Sequence, residues 1–304
     1  MSKEILKPKP LKAGDKVALI APAGAVSKDQ LDCAVASLRG LGLNCELGKS
    51  VTSRYGYLAG SDMIRARDVM EGFMDPSIHG IFCIRGGYGS QRILDLLDYD
   101  IIANNPKFFA GYSDITALHT SIVQNCGFIT YHSPMAANFH ELDAYSMACL
   151  KEIIFSNKPL GKLVMPNGCK LEFLVNGSCI GEICGGNLSI LVSSLGTKYE
   201  INTKNKIVFI EEIGEEPYKI DRMLNQLRLS EKFDGCRGII LGSFSICKSN
   251  NLNYSLKVQD IIKDLGLKCP IVYNFPCGHN IPTVCLPIGS IANIDYNSKN
   301  ITIK

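Results

Sequence analysis

The chain has 304 residues, 46% of them hydrophobic and 20% charged. That balance excludes a disordered chain, and the length suits two domains better than one core. The formal net charge of +3 is too small to point to nucleic acid or an anionic membrane as a partner.

The N-terminal stretch "MSKEILKPKPLKAGDKVALIAP" scatters lysines without a continuous apolar run of signal-peptide type. Apolar runs elsewhere are far too short to span a bilayer. The expectation is a cytoplasmic protein with no membrane partner. Thirteen cysteines are spread singly, with no C-x-x-C pair. This spacing argues against a zinc ribbon, a thioredoxin-type motif and a disulfide scaffold, and predicts buried, reduced thiols.

In chain order, "KVALIAP" (16–22) predicts a buried strand closed by Pro22. "SKDQLDCAVASLRGLG" (27–42) opens on the cap-competent Ser27 and ends in glycine, as a helix does. "SDMIRARDVMEGFMDP" (61–76) predicts a second helix, stopping at Asp75-Pro76. "GIFCIRGG" (80–87) predicts a strand ending in glycines, "QRILDLLD" (91–98) a helix and "FFAGY" (108–112) a strand. "DITALHTSIVQNCG" (114–127) predicts a further helix with a terminal glycine. Strand and helix in alternation imply a parallel, Rossmann-like sheet covered by helices over residues 1–156.

The texture then changes. Residues 157–177 are rich in Pro, Gly and Asn and predict a linker. Residues 178–304 predict a smaller, mixed α/β domain with antiparallel strands. Its elements include the strands "KIVFIEE" (206–212), "GIILGSF" (238–244) and "PIVYNFP" (270–276). The helices "PYKIDRMLNQLRLS" (217–230) and "SLKVQDIIKDLG" (255–266) lie among them. The tail "CLPIGSIANIDYNSKNITIK" (285–304) predicts a terminal hairpin.

"RGGYGSQR" (85–92) does not have the spacing of a dinucleotide fingerprint, because Arg92 stands where a third glycine is required. No phosphate-loop pattern occurs elsewhere, and no nucleotide cofactor is expected. What the segment offers is a tight turn of backbone N–H groups at the C-terminal end of a strand. Open α/β sheets bind ligands there, and such N–H groups can stabilise an oxyanion.

Ser113, in "FFAGYSDITALH" (108–119), has two readings. Serine is a favoured helix cap, and Asp114 in a first turn suits the helix dipole. Apolar strand, sharp turn, serine and helix is also the grammar of a nucleophile elbow, although Ile115 stands where the G-x-S-x-G form has glycine.

A serine nucleophile requires a base. His119 lies on the serine's own helix but on a different face. His79 precedes the strand of the glycine turn, expected at the opposite end of the sheet, and His140 reads as a solvated loop residue. His132 and His279 both sit just past strands, in loops where catalytic groups collect. The base in turn requires an orienting carboxylate. "FIEEIGEEPYKID" supplies Glu211, Glu212, Glu215, Glu216 and Asp221, with those at the strand's end best placed. Physical reasoning leaves both choices open.

The ordered set "LKAGDKVALIAPAG", "GYLAGSDMIRARDVMEGFMDPSIHGIFCIRGGYGSQRIL", "PKFFAGYSDITALH", "GGNLSIL", "IEEIGEEPYKIDRMLNQL", "PCGH" and "LPIG" resembles the serine LD-carboxypeptidases over nearly the whole chain. These are the muramoyltetrapeptide carboxypeptidases, with microcin-immunity peptidases as a related branch. The resemblance implies Ser113 as nucleophile, His279 as base and Glu211 as its orienting acid, with Glu212 the natural rival. It implies an oxyanion hole from the backbone N–H groups of Asp114 and a glycine of the Gly86-Gly87 turn, Gly87 foremost. Arg85, Gly86 and Arg222 become candidates for substrate binding.

The implied reaction releases the terminal D-alanine of a murein tetrapeptide during cell-wall recycling, with no metal and no cofactor. Family members are often dimers, so a homodimer is among the expected partners. The alternatives are a hydrolase of peptide or aminoacyl-nucleotide conjugates, as in the related branch, and a non-enzymatic protein holding a small ligand in an interdomain cleft.

Overall fold

The computed structural model describes residues 5–249 and 255–304. The first four residues of the lysine-bearing N-terminal stretch therefore lie outside the described residues. The chain divides into two units, Met1–Lys158 with Cys285–Gly289, and Pro159–Val284 with Ser290–Lys304.

In the first unit β1 (Lys16–Ile20), β2 (Asn44–Leu47), β3 (Ile78–Cys83), β4 (Phe108–Gly111) and β5 (Thr130–His132) run parallel to one another. Between and after them come α1 (Lys28–Gly40), α2 (Asp62–Met74), α3 (Tyr99–Asn104), α4 (Thr116–Cys126) and α5 (Ala144–Phe155). Val17, Leu19, Ile81 and Phe109 are wholly buried. Strands with helices on both faces carry such continuous apolar runs. Ser27 caps α1 through a full capping box with Gln30, as its sequence predicts. Ser61 caps α2, which ends before Pro76.

The order across this sheet is Leu286–Ile288, β5, β4, β3, β1, β2. The outer strand comes from late in the chain and pairs antiparallel with β5. "QRILDLLD" forms a 3-10 run, Ser90–Leu96, rather than an α-helix. Its start is pinned by the Ser90 N–H on Asp114, and Asp98 already caps α3 beyond it. The tighter helix fits the short span between.

His119 is fully buried in α4 and ties that helix to the sheet. Its Nδ1 meets Thr130 Oγ1 at 2.8 Å and its Nε2 meets the Gly111 carbonyl at 2.8 Å. Burial pushes its pKa down to about 4. The folded value lies below the unfolded value of about 6.5, so the unfolded chain binds a proton that the native state refuses. The His119 contribution is full above the unfolded value and is lost as pH falls towards 4. Thermal unfolding across that window should show a falling Tm, and a shallower fall in His119→Gln. An equal slope in the variant would refute the assignment.

The second unit holds β6 (Gly161–Lys162), β7 (Glu172–Val175), β8 (Cys179–Asn187), β9 (Lys206–Ile213), β10 (Gly238–Ser245) and β11 (Ile271–Tyr273). After β12 (Leu286–Ile288) has returned to the first unit, β13 (Ile291–Asp295) and β14 (Asn300–Ile303) close the chain. The sheet order is β6-β14-β13-β8-β9-β10-β11-β7, parallel from β8 to β11 and antiparallel outside. Its helices are α6 (Leu188–Ser193), α7 (Pro217–Leu229) and α8 (Val258–Asp264). One core joins Leu188, Ile210, Ile220, Leu224, Leu241 and Ile261. The mixed α/β class expected from the sequence is the one observed.

Two boundaries require correction. The stretch 157–177 is not a free linker, because β6 and β7 within it form the two edges of the second sheet. Short edge strands among turn residues carry almost no periodicity to read. The tail is a hairpin only from β13 onward. Leu286, Pro287 and Ile288 are all buried against the other sheet.

Candidate active site

In the first unit the chain leaves β4 at Gly111 and turns through Tyr112 into a 3-10 turn, Ser113–Ile115, that feeds α4. Ser113 has φ 57°. A non-glycine residue in this left-handed region is strained by roughly 1–2 kcal/mol. Its side chain makes no capping bond, and Tyr112 occupies the N-cap position of the turn. The capping reading of Ser113 is therefore not borne out, since Tyr112 and Ile115 occupy the cap positions. The elbow reading fits this backbone, although no glycine follows.

The corner is held from several sides. Gly111 O accepts from Ser133 N at 3.0 Å as well as meeting His119. Asp114, 1% exposed, turns its carboxylate towards the glycine segment and accepts from Ser90 N at 2.8 Å. Burial raises its pKa, opposed by the hydrogen bonds from Ser90 and Gly89 and by the Arg65 charge. Arg65, fully buried, donates to the Pro22 and Gly89 carbonyls at 2.7 Å each and pairs with Asp62. Sequence reading missed Arg65, since an arginine within an amphipathic helix looks solvated.

The glycine turn therefore sits against the serine. A Cβ on Gly86 would stand 3.0 Å from Ser113 Cβ and 3.2 Å from its Oγ. Gly86 O accepts from Gly24 N at 3.0 Å, and Gly87 has φ 100°. Arg85 Nη1 donates to Ala25 O at 2.6 Å. In Gly86→Ala the serine must give by a few tenths of an ångström, and since about 1 Å of misplacement near the reacting atoms costs roughly 100-fold in rate, a loss of about 3- to 10-fold follows. The expected result is that loss in kcat with an unchanged far-ultraviolet spectrum. Wild-type turnover in the folded variant would remove Gly86 from the site.

In the second unit Glu211 and Glu212 follow one another on β9 and face opposite ways, as strand neighbours must. Glu211, 0% exposed, brings Oε2 within 2.7 Å of His279 Nδ1. Burial raises its pKa, and the hydrogen bond and charge of His279 oppose that rise. An Nδ1–H donating to the carboxylate selects the tautomer whose Nε2 carries the lone pair, which is the acceptor a general base requires.

Glu212 is bound quite differently. It accepts from Asn187 Nδ2 at 3.0 Å, Ser189 N at 2.8 Å, Ser189 Oγ at 2.5 Å and Ile213 N at 2.8 Å. It anchors the start of α6 and leaves no role over for orienting a histidine.

His279 rides on the turn after β11. Its N–H donates to Ser243 Oγ at 3.1 Å, while Ser243 N donates to Cys277 O at 2.9 Å. A Cβ on Gly278 (φ 133°) would run into Ser243 Oγ and stand 2.9 Å from Glu211 Oε2. Ser245 Oγ donates to Asn280 Oδ1 at 2.7 Å. Sequence reading passed over Ser243 and Ser245. Their position at the end of the apolar run "GIILGSF" is the signal that could have found them.

The other candidates stand in different surroundings. His132 is buried at the end of β5, edge-on to Tyr112 with ring centroids 6.0 Å apart. His140 pairs with Glu141 at 3.7 Å, both about half exposed. His79 is exposed near the start of β3. Arg222 lies exposed on α7, over the Tyr218 ring at 5.9 Å. Among the described residues no group of three or more His, Cys, Asp or Glu side chains could hold a metal ion. No described helix is long and apolar enough to cross a membrane.

Residues 17–133 match the LD-carboxypeptidase N-terminal domain, and residues 180–294 match the LD-carboxypeptidase C-terminal domain. A Bacillus subtilis (strain 168) protein named "Probable murein peptide carboxypeptidase" is 40% identical over 98% of this chain and 94% of its own length. The microcin C7 self-immunity protein of Escherichia coli is 30% identical over 97% of this chain and 94% of its own. The crystal structure of muramoyltetrapeptide carboxypeptidase from Oxalobacter formigenes superposes with a TM-score of 0.82 at 27% identity. That match covers 95% of this chain and 97% of the other.

Proposed function

We propose, from the premise that the chain belongs to the LD-carboxypeptidase family, that it is a serine carboxypeptidase that releases terminal D-alanine from murein tetrapeptides. The bond cut is the amide between an L-configured centre of a diamino acid and D-alanine. The observation that carries the reading is the buried 2.7 Å contact between His279 and Glu211. It is the base-and-orienter half of a triad, and the left-handed Ser113 supplies the nucleophile.

In this mechanism Ser113 Oγ attacks the carbonyl carbon while His279 Nε2 takes the hydroxyl proton. The backbone N–H groups of Gly87 and Asp114 receive the oxyanion. His279 returns its proton to the departing amine of D-alanine, and water then cleaves the acyl-enzyme by the same steps in reverse. Glu211 holds the ring and balances the imidazolium charge. Arg85 and Arg222 are the guanidinium groups assigned to a substrate carboxylate, and Gly86 gives the peptide room to approach. The reading has the enzyme at work in the cytoplasm, on fragments recovered from the wall, and as a homodimer.

Product analysis on defined murein peptides tests it. The expected products are free D-alanine and a tripeptide from the tetrapeptide, with the pentapeptide untouched. The similarity to the self-immunity protein, a structure of which holds aspartyl sulfamoyl adenosine, supports a second reading, hydrolysis of such an aminoacyl-sulfamoyl conjugate. Cleavage of that compound with the tetrapeptide left intact would transfer the assignment. Tight binding of either compound without hydrolysis would make the protein a ligand binder.

A further inference from the structure

In the second unit, Cys179 opens β8, Cys236 lies two residues before β10 and Cys269 two residues before β11. Strands β8 to β11 run parallel, so the three thiols gather at one end of the sheet. Ser243, near the far end of β10, and the Cys277–His279 turn, beyond the far end of β11, lie at the opposite end.

Cys236 and Cys269 are the close pair. Their sulfurs stand 3.5 Å apart, in van der Waals contact, across 33 positions of chain. The strand entries that carry them are already joined, with Ile239 N donating to Pro270 O at 2.9 Å. Neither residue is buried from solvent. Cys179 is a neighbour rather than a member of the pair: its Sγ faces Gly238, where an added Cβ would lie 2.6 Å from it.

We propose that Cys236 and Cys269 are a reversible disulfide site, closed by a small-molecule disulfide and joining the entry of β10 to that of β11. Bringing the sulfurs to a bonded distance of about 2.05 Å requires only a shift of roughly 1.5 Å, within reach of side-chain rotation. Cys236 S–H donates to the Cys269 sulfur, and this bond draws the Cys269 thiol below its ordinary pKa. Cys269 is accordingly the first nucleophile.

Its thiolate attacks the small disulfide, forming a mixed disulfide and expelling one small thiolate. Cys236 then gives up its proton to solvent and attacks the Cys269 sulfur, expelling the second. Two electrons pass from the protein to the small disulfide, which leaves as two thiols. In a reducing compartment such a bond is transient, opened again by the thiol pool. It lies at the far end of the strands from His279, so it fastens the unit without entering the chemistry.

The test is exposure of the full chain to oxidised glutathione, alkylation of remaining thiols, and non-reducing peptide mapping by mass spectrometry. The expected result is one cross-linked peptide pair, Cys236–Cys269, lighter by two hydrogens and reopened by dithiothreitol. The oxidised protein should melt at a higher temperature. Cys236→Ser and Cys269→Ser should each lose the cross-link, and Cys179→Ser should keep it. Both thiols recovered singly alkylated from the wild type would overturn the proposal, whatever the variants do. So would a cross-link through Cys179.

Discussion

Ser113→Ala is expected to lower D-alanine release from a murein tetrapeptide by about ten-thousandfold or more, since removing the nucleophile of a triad costs losses of that order. KM should change little. The backbone supplies an internal control. Alanine inherits the left-handed strain at φ 57°, whereas glycine does not. Ser113→Gly should therefore be equally inactive yet more stable than Ser113→Ala by about 1 kcal/mol, read as a higher Tm. Loss of activity in both variants, with stability moving the opposite way in the second, separates the missing hydroxyl from any folding defect. Hydrolysis at the wild-type rate by either variant would end the serine mechanism.

The second large effect concerns the adjacent glutamates. Glu211→Gln keeps the shape of the side chain and an acceptor for His279 Nδ1, but loses the charge that balances an imidazolium. The expected fall in kcat is about ten-thousandfold, as for the aspartate-to-asparagine change in a serine protease triad. Glu212→Gln should leave kcat near wild type. It should instead unfold earlier, because a carboxylate with four donors becomes an amide that cannot accept from all of them. Each charge-assisted bond is worth about 1.5–3 kcal/mol.

Stability of the Glu211 variant should depend on pH. Burial raises the folded pKa of Glu211 above its unfolded value. The carboxyl therefore contributes stability below the unfolded pKa of about 4.3 and loses it as pH rises through the folded value. Glu211→Gln removes that loss. It should melt above the wild type at neutral pH, and the advantage should vanish below about pH 4. A variant less stable than wild type at pH 7 would contradict the assignment, and full activity in Glu211→Gln with none in Glu212→Gln would move the triad by one residue.

Much of this architecture could be read from local signals. Alternating apolar runs and capped amphipathic segments gave the parallel sheet, with Ser27 and Ser61 where caps belong. The polar ends of β9 and β11 marked where chemistry collects. Tertiary choices were not legible. The face of β9 on which Glu211 lies depends on register against β8 and β10, and neighbours in a strand look alike in a string. The left-handed turn at Ser113 gives no compositional warning, since serine rarely adopts it. Arg65 looks like a surface helix residue until three carbonyl and carboxylate partners surround it. β12 is only three residues long, and its pairing with β5 spans more than 150 positions of sequence, so nothing nearby announces it.

That last strand has a consequence for synthesis. On the ribosome, β1 to β5 emerge first, but the partner that covers the β5 edge follows more than 150 residues later. Until Leu286–Ile288 leave the exit tunnel, the nascent first sheet has an unpaired edge, and such edges are templates for association between chains. A gene fragment ending at Lys158 should accordingly yield aggregating protein, and supplying the missing strand by circular permutation should restore solubility.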